Sequence, residues 1–354
     1  MATDPRWKLF VVLLVAPLVA FVPMSRGVAA TPPTATEYAL PEGSSNPWGV
    51  AIDTSGNVWV AAPGCDPGTS CSSTTSPGTI EEFNPASATW TSHTLPAGYG
   101  QALFLAFDAA GNLWFTSPFA NVIGTLNPVT KAFQKWTVPT ANSGPWDLTV
   151  DRHGRIWFTE YFTNKIARFD PKNGKFREIA TAAPDSHPYG IAAGAHNDIW
   201  FTENNDTVGL IAETSSGVSL KEYKIREEPA SGLTPHLIAV DPDGNVWWTE
   251  GFATSLGQLK TDQARRGTNL GVSEYSYSSG GHTSGIAIDH HGLVWFDDSL
   301  LNEYGSFPIS GTGSFSVYPT QSGSGHPHDG LAVDSQDRIW IAEEFGNKLM
   351  KVTQ

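Results

Sequence analysis

Positive charge is scarce in this 354-residue chain: 21 lysines and arginines stand against 35 aspartates and glutamates, for a formal net charge of −14. An acidic surface repels phosphate backbones and no basic stripe offsets it, which argues against nucleic acid as a partner. Cysteine is scarcer still. The only two, Cys65 and Cys71, lie in one Gly/Ser/Thr/Pro loop. Two thiols without a neighbouring histidine make a poor metal ligand set. In an exported protein they are expected to form a local disulfide. Also lacking is an apolar run of the roughly 20 residues that a membrane span needs. The longest run, Leu9 to Val22, follows Arg6 and Lys8 and precedes Val28-Ala29-Ala30. That layout is expected of a secretory signal peptide over residues 1–30. The mature chain would then be 31–354, secreted to the periplasm or outside the cell and free of the membrane; an uncleaved anchor is the alternative.

What the chain has in abundance is one repeated phrase. Clear copies read Pro145-Trp-Asp-Leu-Thr-Val-Asp-Arg-His-Gly-Arg-Ile-Trp-Phe-Thr-Glu160 and Pro235-His-Leu-Ile-Ala-Val-Asp-Pro-Asp-Gly-Asn-Val-Trp-Trp-Thr-Glu250. Equivalent tryptophans recur at Trp59, Trp114, Trp157, Trp200, Trp247, Trp295 and Trp340. Spacings of about 40–55 residues with several short strands per copy indicate a β-propeller, and seven copies indicate seven blades. In the third copy, 148–150 reads as an inner strand, 151–154 as a Gly-containing turn, and 155–159 as the second strand around Trp157. Stretches 166–169 and 175–179 complete four antiparallel strands. The last copy stops after a third strand at 348–352, whereas 36–40 resembles the outer strand of other copies. The N-terminal segment is therefore expected to complete the last blade and close a single-domain ring.

Residues present in every copy are scaffold, so departures from the repeat are the candidates for function. His153, His196, His290 and His291 fall in inner hairpins and His93 on an outer strand, all expected at the solvated surface. His187, His236, His282, His326 and His328 instead fall where the chain enters an inner strand, in copies four to seven only. That topology sends five imidazoles to one rim near the central channel. The second strands end on the same rim, at Glu160, Glu203, Glu250, Asp297, Asp298, Glu343 and Glu344. Imidazoles and carboxylates converging there could ligate a metal or act as a base near neutral pH. Trp48, Trp146 and Tyr189 take the same entry position in copies one, three and four. They could wall a ligand site or simply fill the channel mouth.

The phrase Pro-x-Gly-Ile-Ala…Asp-x-x-Gly-Asn-Ile/Val-Trp-Phe-Thr-Glu…Ile-Gly-x-Leu/Phe resembles the streptogramin (virginiamycin B) lyase family, with good copies at 145–171, 188–210 and 235–259. The resemblance implies an elimination. A histidine takes the proton α to a carbonyl, Mg²⁺ stabilises the charge that develops, and the ester carboxylate leaves from the β-carbon. Carried over by motif, it implies His328 as base, with His236 and Glu344 holding the metal; Glu343 is an adjacent competitor for the latter role. Trp48, Trp146, Tyr189 and His326, from their place on the same rim, are the candidate substrate contacts. Departures are visible. The two Pro-His pairs fall in copies five and seven, not in neighbours, and copy six enters with His282-Thr283-Ser284. His328 stands one position further from its hairpin aspartate, Asp334, than His236 does from Asp241, and His326 replaces a glutamate. A histidine-rich set suits a transition metal better than Mg²⁺. The expectation is a monomeric, metal-assisted carbon–oxygen lyase that takes a small-molecule or peptide ligand at the channel mouth. The alternatives are a non-enzymatic propeller binding a peptide, glycan or protein, and a metal-dependent lactone hydrolase.

Overall fold

The computed structural model describes residues 32–354 apart from 42, 44, 215–216 and 228–233. The expected signal segment, 1–30, lies outside the described residues. Residues 33–354 form one compact unit. It consists of seven four-stranded antiparallel sheets, six of them built from four consecutive strands. Blade three shows the pattern: Pro145–Val150, Ile156–Glu160, Lys165–Asp170 and Lys175–Ala180. The seventh sheet joins Pro327–Val333, Ile339–Glu343 and Lys348–Thr353 to the N-terminal strand Thr34–Ala39. That strand pairs from Thr34 opposite Thr353 to Ala39 opposite Lys348, and the ring is closed as expected. Among the described residues the one helical element is a single turn, Tyr161–Thr163.

The repeated tryptophans are scaffold. None of the seven is more than 3% exposed. Six of the seven indoles are fixed by the same local device. The hairpin aspartate accepts backbone N–H groups two and four residues on through one oxygen, and the indole N–H six residues on through the other. Asp241, for example, accepts from Asp243 and Asn245 at 3.0 and 2.8 Å, and from Trp247 Nε1 at 3.1 Å. Blade four has Gly194 at that position, and Asp198 takes over the indole bond to Trp200 at 2.8 Å. His93 departs from expectation. It is buried on the outer strand of blade one, its ring stacked at 5.1 Å on Trp59 and its Nε2 3.1 Å from Glu82. The flat face of the indole offers it more than solvent does.

The threonine of the phrase joins one blade to the next. The Thr202 hydroxyl accepts the Gly190 N–H of its own blade at 2.9 Å and donates to the His236 carbonyl of the next. Thr249 makes the corresponding bonds to Leu237 N–H and the Ser284 carbonyl. Glycine in the inner strand permits the same approach: a Cβ on Gly190 would lie 2.6 Å from the His236 carbonyl oxygen.

Candidate active site at the histidine rim

The inner strands of blades three to seven each begin with a break in register, and the unpaired residues at that break face the channel mouth. In blades three to six, two residues lie between the outer pair and the resumed ladder, as between Pro235 opposite Glu250 and Ile238 opposite Trp248. Such bulges redirect side chains. Here the redirected positions carry Trp146, Tyr189, His236, Ser284 and His328. Blade seven holds one residue more, since Pro327 opposes Glu343 and the ladder resumes only at Leu331 opposite Ile341. The extra residue is Asp329, in a left-handed conformation at φ 59°.

Three imidazoles meet at this mouth. His236, His282 and His328 each offer a ligand atom within 4.8 Å of the others. Ring centroids are 4.9 Å apart for His236–His282, 5.3 Å for His282–His328 and 6.0 Å for His236–His328. His236 is 6% exposed, and neither of its ring nitrogens has a hydrogen bond; His282 Nε2 and His328 Nδ1 likewise have none. Burial outweighs the pull of Asp329 and brings the His236 imidazole down to about 4. Burial and the neighbouring imidazoles bring His282 down to about 2. Both are neutral at physiological pH.

Asp329 is the charged group beneath them. Its carboxylate accepts from the Tyr189 hydroxyl at 2.6 Å and the Ser284 hydroxyl at 2.7 Å, and one oxygen lies 3.5 Å from His236 Nε2. Burial opposes its charge, but the His328 imidazole beside it and the hydrogen bonds from the Tyr189 and Ser284 hydroxyls hold its carboxyl below the ordinary aspartate range. Deeper in the channel a cavity of about 160 Å³ is lined by Asp147, Asp329, Leu105, Ile191, Ile238 and Leu331. Asp147 and Asp297 are both pushed up to about 8 by burial, with Asp329 adding to the effect. Asp329 therefore carries the charge, and the two others carry protons.

Glu344 faces a second pair of imidazoles, with one oxygen 3.2 Å from His326 Nδ1 and 3.7 Å from His328 Nδ1. His236 is thus grouped with His282 and His328, while Glu344 is grouped with His326 and His328. Of the remaining rim carboxylates, Glu250 and Asp298 are held by hydrogen bonds, whereas neither oxygen of Glu203 or Glu343 has one. Glu250 accepts from Trp248 Nε1 at 2.8 Å, and Asp298 accepts from the Tyr277 hydroxyl at 2.6 Å and the His282 N–H at 3.0 Å. His187 lies apart from the cluster, against Tyr161.

Trp48, Trp146 and Tyr189 are buried, at 2, 8 and 6% exposure, and support the site from behind. Trp48 meets His328 edge-on at 4.7 Å, Tyr189 packs on His236 at 3.9 Å, and Trp146 packs on Tyr189 at 5.6 Å. Exposed apolar surface on this rim comes instead from Phe162, Phe252, Leu300 and Phe345, which are 49–63% exposed. Sequence reasoning missed these four and Asp329, and it counted His282 among the rim imidazoles that could ligate a metal without pairing it with His236. A signal existed for the first group: each stands two positions after an acidic residue at or beside the end of a second strand. The expected disulfide links Cys65 and Cys71, with Cα atoms 5.2 Å apart.

The sequence matches the Virginiamycin B lyase family over residues 88–354. The chain belongs to that family. The virginiamycin B lyase of Staphylococcus aureus is similar in structure, with a TM-score of 0.77 and 26% identity over 91% of this chain and 99% of that one. A streptogramin B lyase structure gives 0.77 and 25% over 91% and 98%. A catalytically inactive histidine-to-alanine variant of the S. aureus enzyme, solved with quinupristin, gives 0.77 and 27% over 91% and 99%. Among curated proteins none matches this sequence.

The histidine cluster could hold a metal ion. Magnesium, which the resemblance to the virginiamycin B lyase family implies, does not fit it. Mg²⁺ is bound through oxygen, with carboxylates and retained water. Here the three converging donors are imidazole nitrogens, the Asp329 carboxylate beside His236 is taken up by Tyr189 and Ser284, and Glu344 is turned to His326 and His328.

Proposed function

We propose that this chain is a secreted carbon–oxygen lyase that opens a cyclic ester, of the depsipeptide kind, at the histidine rim. His328 takes the proton on the carbon α to a carbonyl. The C–H electron pair forms the Cα=Cβ bond, the Cβ–O bond breaks, and its pair leaves on the ester carboxylate. Glu344, 3.7 Å from His328 Nδ1, steadies the imidazolium that results, as a carboxylate beside a catalytic imidazole does. The His326–Glu344–His328 arrangement carries the reading, because it supplies an oriented base at the open end of the channel. No step here uses Mg²⁺. The exposed Phe162, Phe252, Leu300 and Phe345 suit the apolar face of a macrocycle.

The test is incubation of the mature protein with a streptogramin B. Elimination gives a linear product of unchanged mass, whereas a lactone hydrolase adds water. Absence of product, or equal product from His328→Ala, overturns the reading. The exposed apolar collar also favours a second reading, a propeller that binds a peptide or small molecule at this rim without turning it over. Saturable binding with no product would select it.

A further inference from the structure

Three imidazoles from three different blades converge beside a buried carboxylate, and the elimination uses only one of them, His328. We infer that His236, His282 and His328 form a three-nitrogen site for a transition-metal ion of the zinc, cobalt or copper class. The ligand atoms lie within 4.8 Å of one another. His236 is 94% buried with both ring nitrogens unbonded, and a buried polar atom without a partner is unfavourable until something satisfies it. Imidazole is the ligand these ions favour, while magnesium and calcium prefer oxygen.

A second, independent observation is Asp329. The residue is an insertion peculiar to the blade-seven bulge, and it sets a buried carboxylate 3.5 Å from His236 Nε2. With Nδ1 of His236 on the metal, a carboxylate beside Nε2 would orient the ring and raise its basicity. Tyr189 and Ser284 hold that carboxylate in place. The inserted anion thus offsets part of a dication's charge inside the channel.

A consequence follows that rests on the proposed lyase role of His328. A neutral imidazole has one nitrogen lone pair, and a metal that takes it leaves none to accept a proton. Metal binding and base catalysis at His328 therefore exclude one another, and a zinc-class ion inhibits the elimination.

The experiment uses chelator-stripped mature protein titrated with Co²⁺ and read by its visible d–d absorption. One Co²⁺ per chain is expected, displaced by stoichiometric Zn²⁺ and unaffected by about a hundredfold excess of Mg²⁺. His282→Ala should weaken Co²⁺ binding at least about 100-fold, and Asp329→Asn about 10-fold. Tryptophan fluorescence and thermal melting report whether each variant is folded, and His282→Gln stands in if the alanine variant is not. Failure of the wild-type protein to bind Co²⁺, binding unchanged by loss of His282, or displacement by Mg²⁺ overturns the site. Ring opening by the metal-free protein is measured separately. Cobalt binding without ring opening removes the lyase and keeps the site; ring opening without cobalt binding does the reverse.

Discussion

At the scale of single residues, the chemistry depends on which side chains keep a proton and which keep a charge. His328→Ala should lower ring opening about 100- to 10,000-fold with little change in melting temperature, since general base catalysis contributes that much. Equal rates for both proteins would remove His328 from the reaction. Asp297 makes a pH prediction with a definite sign. Its carboxyl titrates at about 8 in the folded chain against 3.8 ordinarily, because burial disfavours the charge. Between those values the unfolded chain binds fewer protons than the folded one. The stability this group contributes is therefore complete below pH 3.8 and is lost as pH rises through about 8. Asp297→Asn cannot ionise, so its melting temperature relative to wild type should rise on going from pH 5 to pH 8.5. A difference that stays constant across that range would place the charge elsewhere.

At the scale of elements, the strand entries do the positioning. The bulge that turns His236 toward the mouth is held by its neighbours: Thr202 bridges Gly190 N–H and the His236 carbonyl across the blade junction. Thr202→Val should cost about 1–3 kcal/mol, because it orphans a buried N–H. Chemical denaturation of the two proteins measures the loss. The threonine was visible in the repeated phrase, but its role was not, because its acceptor belongs to the following blade. Blade seven teaches the same lesson. That His328 stands one position further from its hairpin aspartate than His236 does could be counted in the sequence. Only the register of the folded strand makes the surplus residue Asp329, buries it and aims it at His236. Trp48, Trp146 and Tyr189 stood out as candidate ligand contacts, yet the packing of adjacent entries buries them behind the imidazoles.

At the scale of the whole molecule, closure matters most. The strand Thr34–Ala39 supplies the outer edge of blade seven, and Glu37 binds Lys348 across that pairing. A chain beginning at Pro47 should leave the ring open and melt well below the mature protein, or fail to fold; identical melting curves would show that this strand is dispensable. Export is a second test at this scale. If residues 1–30 act as a signal peptide, protein recovered from the medium or periplasm should begin near Thr31 by intact mass.

The seven blades, the closing strand and the rim that receives the histidines were all determined by the sequence alone. Each follows from local rules repeated seven times: an aspartate-capped hairpin, a buried indole and a short strand. Which imidazoles share a point in space was decided only by the tertiary structure. His236, His282 and His328 belong to different blades, and their approach depends on the curvature of the ring and the length of each bulge, neither of which is written in any one repeat.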